Sequence, residues 1–452
     1  AMIAIPGSAC LRRAGLALAL AGMMTGAKAV TLDECINAAL AGNPDVRAAS
    51  EQVQSARAAV REAQSAYYAA LGASAGYALT DNPPQAFMMR LNQRSATLQS
   101  DFNNPSSTEN LALSLGAQYI LFDFGRRGLD ARMARDSADI AGLVLRGLQN
   151  DLVHQVTAGY HGVLQAASFV AAQEESVQTL MESRRVAQER LQAGGSLKTD
   201  VLNLDVQLAR AGDELIRARN GVKLALAALN TAIGREMAST SDMPAAVTSP
   251  GDRPRESEDP DTIQSRPEMQ AAFLMSRISD AGYTKARRQY TPTLSVFGSL
   301  DWNSDVSEDF ENSYMVGAQA QVALFDGFRR RASVSGAAAQ ARAARAGIDK
   351  VANQLRLDLK TASIKAGEAW ERMETAKKCT ESAEEALRIT RERYQSGAAD
   401  IPELLTAQTG LTGTRTRNIS ALYDYLTALS NLERARGALV QRHVDEFKKE
   451  RP

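Results

Sequence analysis

Apolar and polar positions alternate with period two in four short stretches of the chain and recur every three or four residues almost everywhere else. From Asn110 to Phe122 one face carries Leu111, Leu113, Leu115, Ala117, Tyr119 and Leu121; the other carries Ala112, Ser114, Gly116, Gln118 and Ile120. Between Ser313 and Phe325, Tyr314, Val316, Ala318, Ala320, Val322 and Leu324 oppose Ser313, Met315, Gly317, Gln319 and Gln321. Thr293 to Asn303 sets Leu294, Val296, Leu300 and Trp302 against Ser295, Ser299 and Asp301, and a fainter version runs from Leu71 to Leu79. Such segments, with one small polar face, have the pattern required of strands that cross an outer membrane. A half-buried soluble sheet has the same period, and alternation alone does not separate the two.

The remainder reads as helix. No proline falls between Arg126 and Gln192, while Leu129, Met133, Ile140, Val144, Leu148, Leu152, Val156, Tyr160 and Leu164 keep a three-to-four spacing. This predicts a rod of roughly 100 Å. A second proline-free rod is predicted over Arg330–Tyr394, with shorter helices over Leu32–Tyr68, Asp200–Ile233, Glu268–Tyr290 and Ile401–Phe447. The apolar positions drift around each helix, which suits contact with neighbours on two sides better than one buried stripe. Ordinary coiled-coil packing would look the same. Pro292 separates a helix from a strand, and Asp123 and Asp326 are placed to start helices after strands. Asp81–Ser107 is predicted to be a polar loop, and Asn303–Asn312 a shorter acidic one.

One unit is written twice. Leu121-Phe122-Asp123 recurs as Leu324-Phe325-Asp326, an offset of 203 (324 − 121) that also carries Arg190 onto Arg393, Asp200 onto Glu403, Leu202 onto Leu405 and Gly234 onto Gly437. The expected organisation is a first helix–strand–strand–helix repeat over 30–235, with strands near 70–80 and 110–122. An irregular Pro/Ser-rich connector follows over 236–265, then a second repeat over 266–452, with strands near 293–303 and 313–325. Duplication suggests pseudo-symmetric building around an axis. Residues 1–29 read as an export signal: Arg12-Arg13, an apolar run from Ala14 to Met24, then Ala27-Lys28-Ala29. No cysteine stands at the expected cut, so no lipid anchor is expected there. No later stretch is apolar enough for a spanning helix, so membrane insertion must use the strands. Four strands cannot close a barrel, and open edges are not tolerated in lipid. The strands must be pooled between copies, as a dimer with eight or a trimer with twelve.

Composition narrows the function. Lys and Arg total 52 against 52 Asp and Glu, which favours neither nucleic acid nor an anionic surface. Abundant alanine suits closely packed helices. Cys10, Cys35 and Cys379 have no metal-ligand spacing and read as ordinary thiols. His154 and His161 lie two turns apart, but no carboxylate or cysteine completes a metal site, and they read as surface histidines. No Ser/His/Asp arrangement, phosphate loop or metal cluster points to an enzyme or a cofactor. Trp302, Phe122 and Phe325 are candidates for an aromatic girdle at the membrane interface. Asp400-Ile-Pro-Glu403 has the form of a helix-capping box.

The stretch Arg391-Glu-Arg-Tyr394-Gln-Ser-Gly397-Ala-Ala-Asp400-Ile-Pro-Glu403-Leu-Leu resembles the inner-tip turn of TolC-like outer-membrane efflux proteins; Gly194, Gly195 and Asp200-Val-Leu202 form its counterpart. The resemblance covers essentially the whole mature chain. It implies a mainly α fold with membrane β: a homotrimer whose twelve-stranded β-barrel, four strands per chain, lies in outer-membrane lipid and continues as a twelve-helix periplasmic α-barrel. It implies a passive exit duct of a Gram-negative outer membrane, working with a periplasmic adaptor protein and an inner-membrane pump. A conduit for type I protein secretion is the alternative; a periplasmic tether without a pore would explain the helices but not the strands. By carry-over, Tyr394 is the gate-tip tyrosine, Glu403 and Asp200 are acidic entrance residues, and Gly194, Gly195 and Gly397 mark the adaptor-contact tips. Ala399 and Thr406 stand where the family pattern has an arginine and a second acid, so the familiar tyrosine–arginine–aspartate lock is incomplete.

Overall fold

The computed structural model describes residues 30–97, 103–234, 253, 260–305, 309–437 and 439. The expected export signal and most of the connector lie outside them. The helices are α1 (Leu32–Gly42), α2 (Pro44–Ser65), α3 (Pro83–Asn92), α4 (Arg126–Gln192), α5 (Lys198–Ile233), α6 (Pro260–Ser265), α7 (Pro267–Arg287), α8 (Arg329–Gln395) and α9 (Ile401–Arg436). The strands are β1 (Ala70–Thr80), β2 (Thr108–Phe122), β3 (Thr293–Ser304) and β4 (Glu311–Gln321), which form one antiparallel sheet in chain order. None of the described helices is long and apolar enough to cross a membrane.

The strand register sorts the sheet into two chemistries. Directly paired residues share a face. Gly116 lies between Gly72 and Ser299, and Ser114 between Ser74 and Asp301, with Ser313 beyond. Leu113 pairs with Ala75 and Trp302, and Leu300 with Leu115 and Tyr314, on the other face. One face is thus small and polar, cross-linked where Ser114 Oγ donates to Asp301 at 2.6 Å; the other is aliphatic and aromatic. A bulge between Ile120 and Phe122 pairs Phe122 with Leu294 and turns its ring onto the apolar face. On the polar face Phe297 lies over Gly317, where an added Cβ would meet the ring at 2.6 Å. The aromatic covers the backbone that the glycine exposes.

The helices reproduce the duplication. α4 and α8 both have 67 residues, and α5 and α9 both have 36. Arg185 bridges Glu182 and Glu189 on α4, and at the same offset Arg388 bridges Glu385 and Glu392 on α8. Asp123 accepts from the Gly125 and Arg127 amides and Asp326 from Arg330, so each starts its long helix as the sequence predicts. Both junctions turn through two left-handed residues, Phe124-Gly125 and Gly327-Phe328. The hairpins α4–α5 and α8–α9 lie side by side, while α2 and α7 flank α4 nearer the sheet.

Several boundaries differ from the sequence pattern. The Leu32–Tyr68 helix is two, because Pro44 cannot continue α1; Asn43 caps α2 through Asp45 N and donates to Ala232 O at 2.9 Å, tying off α5. The Asp81–Ser107 loop contains α3. β4 ends at Gln321 rather than near 325, because its last partner is Thr293 and Pro292 beyond it has no amide to pair. Phe325 therefore stands past the strand, edge-to-face on Phe328 at 5.5 Å. α9 closes at left-handed Gly437, and the rest of the helix predicted to Phe447 lies, apart from residue 439, outside the described residues. His161 is 9% exposed, packed between the Tyr160 and Tyr423 rings, and not a surface residue.

Candidate functional site

The far ends of the two hairpins, remote from the sheet, bring most of the predicted site residues together. Leu180, Leu204, Leu387, Leu404, Leu405 and Leu411 join the hairpins in one apolar cluster that includes Tyr394. Each long helix ends in the same way. Gly194 is left-handed (φ 77°), and Gly195 N donates to Arg190 O at 2.8 Å. Gly397 is left-handed (φ 82°), and Ala398 N donates to Arg393 O at 2.8 Å. Both are Schellman closures, for which glycine is suited because it lacks a Cβ.

The acids serve different ends. Asp400 occupies the N-cap of α9 and accepts from Glu403 N at 2.9 Å, with Pro402 in the first turn. Glu403 does not complete the capping box; its carboxylate pairs with Arg393, whose other nitrogen donates to Ala398 O. At the first tip the N-cap is Leu197, which has no side-chain acceptor. Asp200 reaches back instead, accepting from Leu197 N at 3.0 Å and from Ser196 Oγ at 2.9 Å. Glu403 is therefore ion-paired rather than a bare acid, and Asp200 is held inside its turn.

Tyr394 is 6% exposed, and its hydroxyl is buried without a hydrogen-bond partner. Its ring lies under the Arg190 guanidinium, 4.6 Å from the centroid. The same guanidinium donates to Tyr394 O and to Gln395 O, each at 2.9 Å. Arg190 thus caps the carbonyl end of α8 from the other hairpin and stacks on its last-turn tyrosine. This clasp was missing from the sequence-derived site, although Arg190 was visible there as the repeat partner of Arg393. Above the tips, Arg415 on α9 bridges Glu175 on α4 at 2.7 Å and Glu384 on α8 at 2.9 Å. It stands in a groove of about 680 Å³ between the hairpins.

The aromatic candidates lie elsewhere. Trp302 is on the apolar sheet face, near the loop end of β3; Phe122 is on the same face at the helix end, beside Phe124 at 4.7 Å. Phe325 is 75% exposed at the matching junction. Among the described residues no group of three or more His, Cys, Asp and Glu is placed to hold a metal. His161, buried with Nδ1 unpartnered, is pushed down to about 4 by burial.

A four-stranded sheet with one lipid-like face, continuous with paired helical hairpins, defines the class of outer-membrane ducts. The family model for outer membrane efflux proteins matches residues 35–235 and 260–438, and the chain belongs to that family. Protein CyaE of Bordetella pertussis is 25% identical over 430 residues, covering 92% of this chain and 86% of its own. The alkaline protease secretion protein AprF of Pseudomonas aeruginosa is 23% identical, with 76% and 73% covered. The solved CmeC outer membrane channel of Campylobacter jejuni superposes with a TM-score of 0.76 at 15% identity, covering 93% of this chain and 89% of that one. The protein is an exit duct of the outer membrane that extends into the periplasm.

Proposed function

We propose that three copies of the chain pool their sheets into a twelve-stranded barrel and their hairpins into a periplasmic tunnel that passively exports small molecules. The observation that carries this is the register. It makes one sheet face apolar between polar positions (Glu109, Ser304 and Asn312) at its loop end, yet leaves the outer edges of β1 and β4 without strand partners among the described residues. Lipid tolerates no such edges, so β1 of one copy pairs with β4 of the next. Eight strands from two copies would also close; twelve is the number in the family the chain resembles. In this reading Trp302 marks the outer interface of the lipid-facing band, and Phe122 and Phe325 mark the inner one.

The tips form the periplasmic entrance. Tyr394, clasped by Arg190, holds the hairpins together, and Asp200 and Glu403 set the local charge. The exposed turns at Gly194, Gly195 and Gly397 meet a periplasmic adaptor, which couples the duct to an inner-membrane pump. The duct carries no catalyst; selection rests on width and charge at the constriction. AprF, a secretion protein by name and alignable over most of both chains, favours type I protein secretion as the second reading. Single-channel recording of the purified chain in lipid, with subunit counting by cross-linking, tests the proposal. Trimers that conduct once Arg190 is replaced are expected; monomers, or no current in any variant, reject the duct. Co-purification then separates a drug-type pump from a protein-secreting one.

A further inference from the structure

α3, in the loop between β1 and β2, is seated on the polar face of the sheet, at the end opposite the helices. Gln93, 5% exposed, donates to Glu109 O at 2.7 Å and to Asn110 Oδ1 at 2.9 Å, and Asn110 donates to Asn303 Oδ1 at 2.9 Å. Asn110 and Asn303 belong to the Ser114–Asp301 face, as the register requires. Arg90 donates to Thr108 Oγ1 at 3.2 Å, and Arg94 reaches across to β4, donating to Asn312 O at 3.1 Å and pairing with Glu311 at 3.2 Å. Arg94 does this from a left-handed backbone (φ 56°), a conformation unfavourable for a side chain with a Cβ. The seat buries Ala86 completely. Away from it, Met88 (54% exposed) and Leu91 (43%) point off the sheet.

We infer that α3 is an inward-folded constriction of the outer mouth, where three copies present Met88 and Leu91 to one another around the axis. The inference rests on the trimeric barrel proposed above. Twelve strands about 4.8 Å apart, tilted by about 40°, enclose a backbone radius of about 12 Å. A helix about 10 Å across that lies against the inner wall reaches almost to the axis. Side chains opposite the seat must then meet their symmetry mates. An apolar ring at that level excludes water and narrows the path, as hydrophobic constrictions do in other pores. The duct thus has an apolar narrowing outside and a charged, clasped one inside, and cargo must pass both.

The test is single-channel recording of the full chain carrying Arg190→Ala, so that the inner end does not limit current. Adding Met88→Ser with Leu91→Ser is expected to raise conductance roughly twofold. Gln93→Ala with Arg94→Gly, which frees the seat, is expected to act in the same direction. In a Cys379→Ser chain, Met88→Cys is expected to join protomers pairwise under a short bismaleimide, whereas Ser74→Cys on the barrel wall is not. A conducting duct whose current ignores both α3 variants and that gives no Met88→Cys cross-link overturns the constriction and leaves the duct standing. A chain that neither conducts nor cross-links in any background overturns the barrel, and the constriction with it.

Discussion

At the second tip, α9 begins with Asp400, whose carboxylate caps the helix, and this leaves Glu403 free to pair with Arg393 in its own turn. At the first tip, Leu197 stands where Asp400 stands, so Asp200 must satisfy the Leu197 amide itself. Its arginine, Arg190, then has no local acid and crosses to the other hairpin, where it stacks on Tyr394 and caps the end of α8. Replacing one N-cap residue thus redirects a duplicated arginine from an internal ion pair to a clasp between hairpins. Near-duplicate sequences can make an asymmetric gate because a turn has few polar groups. Once one is committed, the next must look elsewhere.

The largest test of how far the halves diverge lies midway along α4. His161 is buried where the second half has exposed Ile364. Its folded-state value, about 4, lies below the ordinary 6.5, so the unfolded chain binds the additional proton. Its contribution is complete above about pH 6.5 and is lost as pH falls toward 4, by up to about 3 kcal/mol per chain. Urea unfolding followed by circular dichroism should show His161→Gln losing less stability than the parent between pH 7 and 4; parallel losses refute this.

Next comes the clasp. Arg190→Ala removes two charged hydrogen bonds and a cation–π contact, and should weaken the joined tips by about 2 kcal/mol. At about 1.4 kcal/mol per decade, this would raise the open-to-closed ratio more than tenfold. Bilayer recordings that show no change in open probability would remove Arg190 from the gate. The exposed Arg393–Glu403 pair should matter less to stability, about 0.2–1 kcal/mol, but more to charge. Arg393→Ala leaves Glu403 uncompensated and should raise cation preference, and Glu403→Ala should lower it, with both effects shrinking at high salt. Reversal potentials measured in a salt gradient decide this. The smallest effect should come from Tyr394→Phe. The hydroxyl has no partner to lose, so opening should stay unchanged, and stability should hold or rise slightly as an unsatisfied buried hydroxyl is removed. A loss comparable to that of Arg190→Ala would mean that a neighbouring copy holds the hydroxyl.

Much of the architecture was legible from local pattern. The rod Arg126–Gln192, the glycine closures at Gly194 and Gly397, and the helix-starting Asp123 and Asp326 follow from periodicity and capping chemistry that act within a few residues. The site was legible as a place more than as a mechanism. Tyr394, Glu403 and Asp200 lie at the two hairpin tips, while the pairing of Glu403 with Arg393, across a turn, is not visible from spacing. α3 was missed because two prolines and a polar surround read as loop, and its seat on Asn110 and Asn303 comes from residues distant in sequence.

By itself the chain determined its two repeats, its alternating strands and the points where each long helix must stop, since these depend on side-chain period and backbone freedom at single residues. Only the tertiary structure decided which face of the sheet Phe122 joins, which carbonyls Arg190 caps and where Gln93 is buried. Each of those choices is a competition among polar groups brought together from opposite ends of the sequence. Its outcome depends on which partners are already taken.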